Sequence, residues 1–192
     1  MSKRILVVVD MQNDFITGSL GSLEAQAIVP KVRDKILNGG YDLVIATQDT
    51  HDVDYLQTLE GRYLPVEHCI EGTEGYEIHP DIESVLPRNA LVLPKLSFGD
   101  YKLVLKIQDF ILNDSLCEET LEDMLSYFST AEIELVGLCT DICVVSNALF
   151  LRSAFKDTKV RVDASCCAGT TKENHEAALQ VMRMCQIEVY ND

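Results

Sequence analysis

The chain has 192 residues, 47% of them apolar, which is enough to bury one compact core and does not call for a second domain. Charged side chains make up 24% and neither a low-complexity tract nor a Pro/Gly/Ser-rich linker interrupts the sequence, which excludes a disordered chain and leaves one domain over residues 1–192. Thirty-one acidic against sixteen basic side chains give a net charge of −15, which repels polyphosphate and excludes nucleic acid as a partner.

The seven cysteines are an odd number without small-scaffold spacing, and Cys139, Cys143 and Cys166 lie in or beside apolar runs, so a reducing compartment is expected. The first apolar run, Ile5 to Val9, is too short for a signal-peptide core. No stretch reaches the roughly 18 apolar residues of a membrane span. A soluble, cytoplasmic protein with no membrane partner is expected.

In chain order, strands are predicted at Ile5 to Val9, Leu43 to Ala46, Ala90 to Leu93, Ile133 to Val136, Val160 to Val162 and Ile187 to Tyr190. Their uninterrupted apolar character suits a parallel sheet covered on both faces. Between them, Ala25, Ile28, Val29, Val32 and Ile36 share one face of a helix predicted over residues 24–39. Leu121, Met124, Leu125 and Phe128 mark another, opened by Ser115 with Glu118 three residues on. Thr170 and Glu173 open the last in the same way. Alternating strands and helices predict a doubly wound α/β sandwich. From Gln48 to about Pro80 the periodicity lapses, and this segment holds three of the four histidines. A loop this long, leaving the carboxyl end of a strand, marks the region where ligands collect in such sheets.

Three reactive side chains stand where strands run out: Asp10, Lys95 and Cys143. Cys143 is expected in the first turn of a helix with Thr140 as N-cap, where unpaired N–H groups and the dipole favour a thiolate. Lys95 nearby would lower the thiol pKa further, and Asp10 could shuttle a proton between thiol, substrate and water. Singly these residues read as core, cap and surface groups; their joint placement points to catalysis. Within the long segment, Asp49 and His51 lie two apart on an extended chain and can point the same way, with His68 returning to them. Two imidazoles and a carboxylate suit a borderline divalent metal with open positions.

Five stretches then stand in order along nearly the whole chain: VVVDMQNDF from Val7 to Phe15, TQDTH from Thr47 to His51, HCIEGT from His68 to Thr73, Pro94 with Lys95, and GLCTDICV from Gly137 to Val144. DASCCAG from Asp163 to Gly169 and His175 complete the set. Together they resemble the isochorismatase-like cysteine hydrolases, and among these the nicotinamidases. The resemblance implies a three-layer α/β sandwich with a six-stranded parallel sheet of order 3-2-1-4-5-6 and an Asp10, Lys95, Cys143 triad. It implies a cis peptide at Leu138-Cys139 and an oxyanion hole formed by the N–H groups of Cys139 and Cys143. It further implies a divalent metal, zinc ahead of manganese or iron, on Asp49, His51 and His68.

Glu60 is the candidate fourth ligand, or else a solvated loop carboxylate. Phe15 matches a ring that packs against the bound heterocycle, or is plain core. The nicotinamidases commonly carry a Trp before the Pro near His68, where this chain has Leu64 and no Trp anywhere. The implied activity is hydrolysis of a small amide, nicotinamide first, through a thioester. The alternatives are another small amide, a ureido or carbamoyl compound, isochorismate, or a catalytically silent interaction module. The expected partners are the small substrate and further copies of the chain in a homo-oligomer.

Overall fold

The computed structural model describes residues 3–112 and 128–192. Six strands, β1 (Arg4–Val9), β2 (Leu43–Asp49), β3 (Leu91–Lys95), β4 (Glu132–Leu138), β5 (Lys159–Ala168) and β6 (Glu188–Tyr190), form one sheet of order β3-β2-β1-β4-β5-β6. Every neighbouring pair is parallel, as expected. The helices among the described residues are α1 (Asn13–Ile16), α2 (Leu23–Asn38), α3 (Leu59–Tyr63), α4 (Pro80–Glu83), α5 (Tyr101–Leu112), α6 (Val145–Ala154) and α7 (Lys172–Met184).

The sheet separates two cores, because alternate strand residues point to opposite faces. Leu6, Val8, Val44 and Ala46 pack with Ile28, Val32 and Ile36 of α2. Ile5, Val7 and Ile133 pack on the other side with Ile107 of α5, Leu151 of α6 and Leu179 of α7. The result is a three-layer sandwich. Helix α2 buries the face that its periodicity predicts, and Ser22 caps it by accepting the Ala25 N–H at 3.0 Å. Farther out on the α2 side, the buried carboxylates of Glu134 and Asp163 both pair with the single ammonium of Lys35.

Four expectations need amendment or fall outside these residues. The helix drawn on Leu121, Met124 and Leu125, with Ser115 and Glu118 at its start, lies outside the described residues. Phe128, described, stacks on Phe155 with centroids 5.6 Å apart. The last helix is capped by Thr171, not Thr170: the Thr171 hydroxyl accepts from Asn174 N–H, while Thr170 turns to Asp141. The Cys143 helix begins one residue earlier than expected, with Cys139 as N-cap, and passes through a π turn over Thr140–Val144 before α6. No peptide bond among the described residues is cis, so Leu138-Cys139 is trans, the cheaper form for a non-proline bond.

The irregularity at the end of β4 sits instead at Gly137, where the register with β5 shifts and φ is 119°. A Cβ there would fall 2.1 Å from the Val9 carbonyl oxygen, so only glycine lets β1 and β4 run this close. The register aligns the strand ends, pairing Val9 with Gly137 and Asp49 with Lys95. Between β1 and β4 the winding reverses, and this switch point is where an open α/β sheet presents its ligand crevice.

Candidate active site

Asp10 follows directly on β1, Lys95 ends β3 and Cys143 lies in the turn after β4, and these three meet. The Lys95 ammonium crosses above β2 to reach Asp10 Oδ2 at 2.8 Å, Asp49 Oδ1 at 2.8 Å and Cys143 Sγ at 3.5 Å. All four side chains are buried. Thr47 donates to Asp10 Oδ1 at 2.6 Å and accepts from the Asp10 N–H at 3.2 Å, fixing one edge of the carboxylate. Asp10 Oδ2 faces the ammonium as an ion pair without hydrogen-bond geometry, and so keeps acceptor capacity for a thiol, a water or a leaving amine. Its backbone is left-handed, φ 47°, a conformation Asp tolerates at a cost of about 1–2 kcal/mol and one that recurs at functional sites.

Burial dominates the electrostatics. It pushes the Asp10 carboxyl above the ordinary carboxylate range against the opposing charge of Lys95. Burial alone would discharge Lys95, but Asp10, Cys143 and Asp49 outweigh it and raise the ammonium pKa. The Cys143 thiol is pushed well above its usual value by burial and by Asp10, which overcome Lys95. Lys95 is already shared between two carboxylates, so these effects work against the thiolate expected at rest. Asp10 is the adjacent base.

Asp49 also faces the other way. Its Oδ2 lies 3.1 Å from His51 Nε2 and 3.7 Å from His68 Nε2, and Glu60 Oε1 lies 3.8 and 3.9 Å from the same nitrogens. The four ligand atoms fall within 4.8 Å of one another. Donors bound at 2.0–2.2 Å around a tetrahedral ion stand about 3.4 Å apart, so this spacing and the N/O donor set fit a divalent cation. The Val66 carbonyl, 2.8 Å from His68 Nδ1, selects the tautomer that turns the Nε2 lone pair inward. The field of Asp49 and Glu60, which offsets burial and raises the His51 pKa, is the field that would attract a cation. Glu60, offered by the first turn of α3, thus joins Asp49, His51 and His68 and is not a solvated loop group.

The predicted wall residues divide. Phe15 is nearly buried and its ring lies 5.5 Å from that of His68. Leu64 is half-buried and presents its carbonyl to the Tyr55 hydroxyl at 3.0 Å. Tyr55, which sequence reasoning missed, is the aromatic that stands against the histidines, 4.6 Å from His51 and 4.9 Å from His68. Gln12 was also missed. Its amide donates to the Asp49 and Tyr76 carbonyls at 2.9 and 2.8 Å and accepts the Asp49 N–H at 2.7 Å, which fixes the backbone of the shared aspartate. The available signal was its place two residues after Asp10, just past the end of a strand; its full burial is not readable from the sequence. Cys139 packs on the α2-side core while Cys143 belongs to the opposite one, and burial pushes the Cys139 thiol up to about 12.

A sequence model described as the isochorismatase domain matches residues 4–191. The nicotinamidase/pyrazinamidase of Mycobacterium tuberculosis is 29% identical over 199 residues, covering 97% of each chain. The nicotinamidase of Schizosaccharomyces pombe is 27% identical over 213 residues, covering 97% of this chain and 92% of its own. Among solved structures, the pyrazinamidase of Pyrococcus horikoshii in complex with zinc superposes with a TM-score of 0.75 at 25% identity, over 99% of both chains.

Proposed function

Because the chain belongs to the isochorismatase family, we propose that it is a cysteine-dependent amidohydrolase that converts nicotinamide and water to nicotinate and ammonia. The observation that carries this reading is Asp49, whose two carboxylate oxygens join the Asp10, Lys95, Cys143 centre to the His51, Glu60, His68 group. A small amide on that group would place its carbonyl beside the sulfur.

In this mechanism Cys143 Sγ attacks the amide carbon as Asp10 takes the thiol proton, and the C=O pair moves to oxygen. We assign that oxyanion to the N–H of Cys143, within the π turn; the Cys139 N–H was expected to join it through a cis Leu138-Cys139 peptide, and that peptide is trans here. On collapse the C–N bond breaks, Asp10 returns the proton to the departing ammonia, and a thioester remains. Asp10 then deprotonates the water that attacks the thioester, and the thiol is restored with release of the acid. Lys95 stabilises the negative charge as it develops on sulfur. Asp49, His51, His68 and Glu60 would hold a divalent ion, zinc ahead of manganese or iron, which when bound supplies a Lewis-acidic anchor for the pyridine nitrogen. The remaining parts of the proposal are a cytoplasmic setting, in keeping with six free thiols among the described residues, and association of copies into a homo-oligomer.

An ammonia-release screen over nicotinamide, pyrazinamide and ureido compounds tests the substrate assignment. Nicotinamide is expected to give the highest kcat/KM. Preference for a ureido compound instead would favour the second reading, for which the absent Trp at Leu64 speaks. Chelation followed by dialysis is expected to weaken nicotinamide affinity, with recovery on adding zinc, manganese or iron; full affinity in a metal-stripped sample removes the metal role. Gln12→Leu is expected to lower divalent-ion affinity on the order of tenfold by loosening Asp49, as measured by calorimetric titration. Unchanged affinity would mean that Gln12 does not organise the ligand set.

A further inference from the structure

We propose that His175, acting through the hydroxyl of Thr140, is a positioning residue that sets the π turn carrying the nucleophile. The inference rests on the reading of Cys143 as nucleophile and adds a residue outside the triad and the metal group. Thr140, fully buried, is the first residue of the turn, and its Oγ1 lies 2.8 Å from His175 Nδ1 in the first turns of α7. The next residue is held by the same segment: Asp141 Oδ1 accepts the Thr170 N–H at 2.8 Å and its Oδ2 accepts the Thr170 hydroxyl. Asn174 donates to that hydroxyl at 2.9 Å. The junction between β5 and α7 packs so closely here that a Cβ on Gly169 would lie 2.8 Å from Asp141 Oδ1 and 2.9 Å from the His175 Cβ.

Such a clamp has a physical purpose. The turn closes with Val144 N–H on the Cys139 carbonyl at 3.1 Å, an i→i+5 bond of the rare π type that recurs at functional sites. An ordinary α-helical turn would rotate Cys143 relative to Lys95, so the 3.5 Å contact between sulfur and ammonium depends on the turn keeping its shape. Beside Cys143, Thr140 and Asp141 send their side chains out of the turn to hydrogen-bond, and both end on residues 170–175. In the Nε2–H tautomer of neutral His175, the hydroxyl donates to Nδ1. The charged groups facing this ring are Asp141 from the turn and Glu176 from its own helix.

The test is a double-mutant cycle on the holoenzyme. Thr140→Val and His175→Ala are each expected to lower kcat about tenfold with KM within twofold. The double variant should fall no further than the worse single one, since both remove one contact. Asparagine places an acceptor where Nδ1 stands, so His175→Asn should recover most of kcat, and Thr140→Ser, which keeps the hydroxyl, should stay within twofold of wild type. If His175→Ala does not fold, the His175→Asn, Thr140→Val and Thr140→Ser set decides alone. Independent, multiplying losses, an unchanged kcat, or a rise confined to KM would each overturn the proposal. Cys143→Ala assayed alongside separates the two claims: turnover in that variant defeats the nucleophile reading, whereas an inactive Cys143→Ala beside an unaffected Thr140→Val defeats only the clamp.

Discussion

Cys143→Ala is expected to lower turnover of nicotinamide by about four orders of magnitude or more, while circular dichroism and thermal unfolding stay close to wild type. Removing a nucleophile takes away a covalent route that the remaining groups cannot replace, so the residual rate reflects binding and oxyanion contacts alone. The fold should tolerate the change. The side chain belongs to a core rich in Ile, Leu and Val, and the loss of one sulfur leaves a small cavity worth about 1–2 kcal/mol. Cys139→Ala is the matched control. That thiol is half-buried against the opposite core and takes no part in the mechanism, so activity should remain within a few-fold of wild type. A Cys143→Ala protein of near-normal activity would remove the mechanism.

The largest expected effect on stability is that of Lys95→Met. Lys95 is fully buried and pairs with Asp10 and Asp49 at 2.8 Å each. Its apolar replacement fills similar volume but leaves the two buried carboxylates facing each other without the ammonium between them, Asp10 with no other cation among the described residues and Asp49 with only the His51 side. Breaking a buried ion pair on one side costs about 3–5 kcal/mol, far more than the pair as a whole contributes, because the stranded charges cannot reach water. At about 2–4 °C per kcal/mol for a chain of this size, Tm should drop by about 6–20 °C. Activity should vanish with it. Adding Asp10→Asn to the same chain removes one stranded charge and should restore part of the lost Tm without restoring turnover. Differential scanning calorimetry measures both. A Lys95→Met protein as stable as wild type would mean that the two carboxylates share a proton and never needed the ammonium.

Much of this arrangement was legible in the sequence, for identifiable reasons. Strands such as Ile5 to Val9 are buried on both faces, so their apolar runs carry no competing signal, although β2 and β5 continue past those runs, to Asp49 and Ala168, before reaching their carboxyl ends. Asp10, Lys95 and Cys143 stand at those ends, and a parallel sheet brings such ends to one edge. Helix α5 is hard to see in the sequence, because Leu105 and Tyr101 on its exposed side blur the stripe of Leu103, Val104, Ile107 and Ile111. Caps were placed one residue off at Thr140 and Thr170. In both places a neighbouring residue of equal capping ability, or none, competes for the position, and long-range bonds to His175 and Asp141 decide the outcome.

Protonation was the least legible property. A helix start and a nearby lysine favour a thiolate when taken alone, but the sequence does not reveal that Asp49 shares that lysine or that burial is complete. Tyr55 and Gln12 went unread for a similar reason. Their importance comes from contacts across 13 and 37 residues of chain, to His68 and Asp49, which no local pattern encodes.

The covalent step is open to direct observation by rapid acid quench during turnover of saturating nicotinamide, followed by mass spectrometry of the digested protein. One nicotinoyl group is expected on the peptide containing Cys143, absent from Cys143→Ala and decaying as nicotinate appears. Full turnover with every cysteine unmodified, or an acyl group carried on a different cysteine, would contradict the account.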